Sequence, residues 1–84
     1  MKFSTKLNEK ALYNTVKYSA FTESGLFASL DNVKEVREFL KSRTEGAVVV
    51  QGRFGIVALT DGQGKATFEG TKKFEALLST VTFN

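Results

Sequence analysis

The sequence contains no cysteine, no histidine, no proline and no tryptophan. Without cysteine the chain has neither a disulfide nor a thiolate, which fits a reducing compartment. Without histidine it lacks the commonest general base and one of the preferred zinc ligands. These absences predict a protein that is not an enzyme and that needs no cofactor or metal.

Charge is present but not concentrated. Nine acidic residues stand against twelve basic ones, which gives a net charge of +3. A mildly basic chain permits nucleic-acid or acidic-protein partners and requires neither. The acidic residues form no cluster of the kind that magnesium or calcium binding needs. Glu35 and Glu38 lie one helical turn apart beside lysines, and we interpret them as a solvated helix face.

Long apolar runs are also missing, so the sequence shows neither a signal peptide nor a membrane span. With 84 residues the chain is expected to form one domain, residues 1–84. We expect a soluble cytoplasmic protein encoded by a complete small reading frame.

The segment from residue 47 to residue 69 predicts a three-stranded antiparallel meander. Its apolar runs are separated by Gln51-Gly52, a signal for a two-residue hairpin, and by Asp61–Gly64, a second turn with two glycines. These loop lengths predict a register in which Val50 lies opposite Arg53, and Val57 lies opposite Phe68.

The predicted register divides the meander into two faces. The core face would carry Val48, Val50, Val57, Leu59, Ala66 and Phe68. The second face would be half apolar, with Ala47, Val49, Phe54, Ile56 and Ala58 beside Thr60, Lys65, Thr67 and Glu69. A sheet that is wet on one side alternates more cleanly than this, so something should cover Val49, Phe54 and Ile56. The chain's own N-terminal third, a second copy of the chain and a foreign partner are the three alternatives.

Two helices are predicted around the meander. Asn32 and Glu35 have capping-box spacing and open a helix over about 32–44, with Gly46 placed to end it. Thr71 caps a last helix over about 71–79. We expect both helices to cover the core face of the sheet.

The N-terminal third is less clearly patterned. Residues 2–7 alternate and predict an extended segment, and residues 26–30 predict a short strand or the approach to a helix. Over residues 9–21, with Asn8 as the cap, helical spacing of the apolar residues favours a helix, but Tyr, Thr and Val leave a strand open. Together these elements predict an α+β domain.

The segment 52–59, GRFGIVAL, resembles the central motif of RNA-recognition-motif domains. Phe54, Gly55 and Val57 match in order, while the glycine and basic residue before them are swapped. The family stacks a base on an aromatic ring where this chain has Ile56, and isoleucine has no ring. We therefore interpret the resemblance as a chance match.

The first functional hypothesis is a small non-enzymatic protein-binding module. Its binding residues would be Val49, Arg53, Phe54, Ile56 and Lys65. Aromatic and arginine anchors around a desolvated centre are typical of protein interfaces. Such a chain would act as an inhibitor or regulator of a larger host complex, as do small proteins that phages and mobile elements encode. A homodimer is a further alternative for this apolar face.

The second hypothesis is nucleic-acid binding through basic helix faces. Its residues would be Lys34, Arg37, Lys41, Lys72 and Lys73. Acidic neighbours interrupt each basic stripe, which weakens this reading. Binding of this kind would weaken steeply with salt, because released counterions dominate it.

Overall fold

A computed structural model of the protein describes residues 1–14 and 17–84. Its strands are β1 (Lys2–Phe3), β2 (Tyr18–Thr22), β3 (Phe27–Leu30), β4 (Ala47–Val50), β5 (Ile56–Thr60), β6 (Thr67–Phe68) and β7 (Thr82–Phe83). Its α-helices are α1 (Thr5–Leu12), α2 (Val33–Lys41) and α3 (Lys72–Leu78), and residues Gly52–Phe54 form a 3-10 turn. The predicted α+β class is confirmed.

A five-stranded antiparallel sheet in the order β3-β2-β4-β5-β6 forms the centre of the molecule. A separate two-stranded parallel sheet, β1 with β7, joins the two ends of the described chain. There the Thr82 N–H donates to the Met1 carbonyl at 2.8 Å, and the Asn84 N–H donates to that of Phe3 at 3.0 Å.

Helices cover both faces of the large sheet. On one face Val36 and Leu40 of α2 pack against the sheet residues Ala20, Leu30, Ala47, Val49, Val57 and Ala58. On the other face Ala11 of α1 and Phe74 of α3 pack, together with Phe3 of β1, against Phe21, Val48, Val50 and Leu59. The prediction that α2 and α3 share one face was therefore wrong. All four residues of β4 are buried, so this strand needs cover on both sides.

Local capping signals were confirmed at the start of two helices. The Glu35 N–H donates to Asn32 Oδ1 at 2.9 Å, and the Phe74 N–H donates to Thr71 Oγ1 at 3.1 Å. The predicted role of Gly46 was wrong, because α2 ends at Lys41 and Gly46 does not have a positive φ. Gly46 instead donates its N–H to Glu23 Oε1 at 3.0 Å.

The helix predicted over 9–21 was wrong in its extent. Helix α1 begins earlier and ends at Leu12, and Tyr18–Thr22 form a strand; the part of the prediction on residues 15–16 lies outside the described residues. Strand β2 pairs with β3 on one side and β4 on the other. The ladder bonds to two neighbours outweigh the weak helical preference of this segment. The extended segment predicted over 2–7 is reduced to β1, and the strand predicted within 26–30 is confirmed as β3.

The meander was confirmed, but both of its predicted registers were wrong. The first loop spans residues 51–55, because the 3-10 turn occupies its middle, so Val50 pairs with Ile56 instead of Arg53. In the second pair Phe68 lies opposite Ala58 instead of Val57. A shift of one residue exchanges the two faces of a strand, so Phe68 packs on the α2 side.

Candidate functional site

One end of the large sheet is closed by carboxylates. We call it the closed end; the β2–β3 turn (23–26), the α2–β4 loop (42–46) and the β5–β6 loop (61–66) meet there. Glu45 accepts the Ser24 N–H at 2.8 Å and the Ser24 hydroxyl at 2.6 Å. Glu23 accepts the N–H groups of Gly46 at 3.0 Å and Lys2 at 3.4 Å. These bonds hold the β2–β3 turn against the α2–β4 loop and strand β1 at this end of the sheet.

The contact between Glu45 and Ser24 should make stability depend on pH. The Ser24 hydroxyl bond is the main cause that lowers the pKa of the Glu45 carboxyl below its ordinary value of 4.5. A depressed folded pKa means that the stabilisation is complete above the ordinary pKa and is lost as the pH falls through the folded pKa. We therefore expect the Tm of the wild type to approach that of Glu45→Gln as the pH falls below 4.5.

Thermal unfolding followed from neutral pH into this acid range checks the expectation. Ser24→Ala should reduce the pH dependence, because it removes the hydroxyl bond and keeps the backbone one. Parallel curves for the wild type and Glu45→Gln over the whole range would contradict it.

The opposite end of the sheet is not closed in this way, and we call it the open end. It comprises residues 13–14 and 17, the β3–α2 join at 31–32, the loop 51–55 and residues 69–71. The pairing of Tyr18 with Leu30 and of Ser19 with Val50 places the first three of these segments together. The Glu69 N–H donates to the Val57 carbonyl at 3.0 Å, which brings in the fourth.

A half-open cleft of about 170 Å³ lies at the open end between α2 and the sheet. Its lining residues are Tyr18, Val33, Val36, Gln51, Val57, Phe68 and Glu69. Valine and aromatic side chains form most of this wall, while Gln51 and Glu69 supply polar groups. The Arg37 guanidinium carbon lies 5.0 Å from the Phe68 ring centroid, so a cation stands beside the cleft.

The size of the cleft limits what it can hold. Pockets for drug-sized ligands and cofactors measure about 300–1,000 Å³. An apolar cavity of about 150 Å³ accommodates benzene. At about 170 Å³ this cleft has room for one aromatic or aliphatic side chain.

The loop beside the cleft presents an aromatic ring to solvent. Phe54 is 69% exposed, and the Arg53 guanidinium carbon lies 5.6 Å from its ring centroid. The loop is closed by the Phe54 N–H, which donates to the Gln51 carbonyl at 2.9 Å, and by the Gln51 N–H, which donates to that of Gly55 at 3.0 Å. Gly52 and Gly55 have φ values of 45° and 79°, which favour glycine. The exposed ring therefore stands on a turn whose backbone is well defined.

Other exposed apolar side chains collect at the open end. Tyr13 is 86% exposed and directly follows α1, which lies against the 3-10 turn. Leu12 in the last turn of α1 and Val33 at the rim of the cleft are also exposed. Leu26, by contrast, lies in the turn at the closed end. Apolar groups at the centre of a polar surface are a feature of protein interfaces.

The five residues predicted to bind a protein do not form one patch. Val49 is fully buried under α2, so its predicted place on an open face was wrong. Ile56 is partly buried on the opposite side of the sheet, and Lys65 lies in the loop at the closed end. Arg53 and Phe54 alone stand together on an exposed turn. The chain itself covers the second face, through α2 and not through its N-terminal third.

The predicted basic residues are all exposed, but they lie on two helices. Lys34, Arg37 and Lys41 belong to α2, whereas Lys72 and Lys73 begin α3 on the other side of the sheet. The sheet therefore separates the two groups, and one nucleic-acid strand would have to pass around the domain to contact both.

Sequence reasoning missed the cleft, because its residues come from strands and a helix that are far apart in the chain. In the part of the chain that the structure describes, no three acidic side chains gather as a metal site would require. Among the same residues, no helix has the length and apolar character needed to cross a bilayer.

Comparison of the chain with protein-family models, with curated proteins and with solved structures finds no match.

Proposed function

We propose that the protein is a non-enzymatic protein-binding module whose binding surface is the open end of the sheet. The observation that carries the proposal is the exposed ring of Phe54 with Arg53 beside it, next to an apolar cleft. Aromatic residues and arginine supply most hot spots in protein interfaces. A rigid turn also loses little conformational entropy when it is immobilised by a partner.

The partner would supply an apolar side chain for the cleft and acidic groups for the rim. The cleft takes one side chain, Arg37 stands beside it over Phe68, and Arg53 stands on the adjoining loop 51–55. Charge complementarity of this kind speeds encounter and fixes orientation. In the cytoplasm such a module would inhibit or regulate a larger protein complex by covering part of its surface.

Phe54→Asp should abolish capture of the partner and leave the domain folded. A tagged protein is used to recover partners from a lysate, one half of which is treated with nuclease, in parallel with Phe54→Asp and Leu26→Asp. Leu26 is the matched control, because it is 56% exposed and lies at the closed end. The supporting result is a protein that the wild type and Leu26→Asp retain and Phe54→Asp loses.

With that protein purified, truncation to Phe54→Ala should weaken binding about 30-fold or more, as expected for a hot spot.

Two outcomes would overturn the proposal. Equal recovery with Phe54→Asp and Leu26→Asp would exclude the open end as the binding surface. Recovery that requires nucleic acid and falls steeply with salt would favour the nucleic-acid alternative and its lysines on α2 and α3.

A further inference from the structure

Strand β3 forms one edge of the large sheet, and half of its backbone N–H and C=O groups point away from β2. The Thr22 N–H donates to the Leu26 carbonyl at 3.1 Å. In an antiparallel ladder every second residue of a strand bonds to the same neighbour, so Ala28 and Leu30 are the β3 residues that bond to β2. The N–H and C=O groups of Phe27 and Ser29 therefore point away from the sheet. None of these four groups makes a hydrogen bond within residues 1–14 and 17–84.

Strand β3 contains no proline, bulge or charged residue, which are features that prevent strand pairing at an edge. Natural edge strands carry prolines, bulges or inward-pointing charges, or they are covered by another element. Strand β3 pairs with β2 in unbroken register, and its sequence, Phe-Ala-Ser-Leu, contains none of those residue types. At the other edge of the sheet, β6 has two residues and leads directly towards α3.

We propose that β3 pairs antiparallel with β3 of a second copy of the chain. The two-fold axis that relates the copies passes midway between their Ala28 residues. In this register Phe27 of each copy lies opposite Ser29 of the other. Their outward N–H and C=O groups then form four hydrogen bonds, and the two sheets join into one. A two-fold arrangement is closed, so pairing stops at the dimer.

The side chains fit this axis. Ala28 meets Ala28 of the second copy on the α2 side, and two methyl groups allow the close approach of a non-hydrogen-bonded pair. On the α1 side the Phe27 ring would lie opposite the small Ser29 of the second copy, whose hydroxyl accepts from Asn14 Nδ2 at 3.2 Å. Each pair at the junction therefore includes at least one small residue of β3.

Charge complementarity selects a second copy as the occupant of the edge. The Lys10 ammonium nitrogen lies 4.3 Å from the Phe27 ring centroid, on the α1 side of β3. In the proposed register Asp31 of the second copy is the diagonal neighbour of Phe27, roughly 7–8 Å away between backbones. The long side chain of Lys10 spans this separation. The two-fold axis repeats the pair, so two lysine–aspartate contacts frame the junction.

The interface is small, so the dimer should be weak and depend on protein concentration. A four-residue strand pair buries less than the roughly 1,200 Å² at which stable interfaces begin. A weak dimer of this kind can be detected by a disulfide between introduced cysteines. The chain has no native cysteine that would form competing disulfides. Residues in a non-hydrogen-bonded antiparallel pair lie about 4.5 Å apart at Cα, within disulfide range.

Ala28→Cys should form a disulfide-linked dimer about tenfold faster than Ala76→Cys under mild oxidation at equal protein concentration, because pairing raises the effective thiol concentration. Ala76 is the matched control, an exposed alanine on α3. Equal rates for the two variants would overturn the proposal and leave the edge to a foreign strand.

Two further variants test the register in the Ala28→Cys background. Ser29→Pro removes an outward N–H that β2 does not use, so it should keep the fold and reduce the rate to that of the control. Lys10→Asp should slow cross-linking, and adding Asp31→Lys should restore it. Failure of this restoration would overturn the proposed register, even if Ser29→Pro did not fold.

The proposed dimer and the proposed partner surface can fail independently. Phe54 lies on the β4–β5 loop, and β2 separates β4 from β3. Phe54→Asp should therefore leave the cross-linking rate of Ala28→Cys unchanged.

Discussion

Val49→Asp should unfold the protein, whereas Phe54→Asp should leave it folded. Val49 is fully buried between Ala20 and Ala58 on the neighbouring strands, beneath α2. An unpaired carboxylate buried there would cost about 3–5 kcal/mol, and loss of the buried valine side chain would add about 1.5–3 kcal/mol. A domain of 84 residues has a total stability of roughly 4–12 kcal/mol. The expected result is loss of most of the cooperative thermal transition.

Phe54→Asp is the control for this experiment, because it introduces the same charge at an exposed position. Substitutions at such positions change stability by about 0.5 kcal/mol, which corresponds to a Tm shift of about 2–4 °C. Circular dichroism distinguishes the two variants, because the far-ultraviolet signal reports secondary structure and the near-ultraviolet signal reports tertiary structure. Equal stability of Val49→Asp and Phe54→Asp would contradict the burial of Val49.

Gly62→Ala should destabilise the protein considerably more than Gly25→Ala. Both glycines have φ near 100°, at 99° and 102°, so both alanines pay the cost of a left-handed backbone. At Gly62 a Cβ would also come within 2.9 Å of the Glu45 Cα, whereas at Gly25 nothing lies within 4 Å. We expect a loss of about 1–2 kcal/mol for Gly25→Ala and about 2–5 kcal/mol for Gly62→Ala.

Denaturant unfolding of the wild type and the two variants measures this difference directly. The comparison separates backbone strain, which the two positions share, from the close approach of the β5–β6 loop to Glu45. Equal losses at the two glycines would show that this approach does not occur in solution.

The features predicted best from sequence depend on contacts between near neighbours in the chain. Asn32 and Thr71 cap their helices through N–H groups three residues away, and this spacing is visible in the sequence. The meander was predicted for the same reason, since glycine turns join strands that follow one another. Arg53 and Phe54, which the predicted register placed in a strand, lie together on one turn because they are adjacent in the chain.

The features predicted wrongly depend on contacts between distant segments. The length of the 51–55 loop decides the register of β4 and β5. The same residues are compatible with a tight two-residue hairpin and with the 3-10 turn that forms, so the sequence does not fix this length. Tyr18–Thr22 became a strand because β3 and β4 pair with it from both sides. Val49 carries no local mark of burial; α2 covers it only after the chain has folded back.

By itself, the sequence determined which side-chain types are available, the α+β class, the two helix caps and the position of the meander. Each of these follows from composition or from hydrogen bonds between neighbouring residues. Only the tertiary structure decided which apolar residues are buried, that both faces of the sheet are covered, and that a cleft and an exposed aromatic ring meet at one end. Those features depend on strand register and on which face each helix covers, and long-range packing selects both.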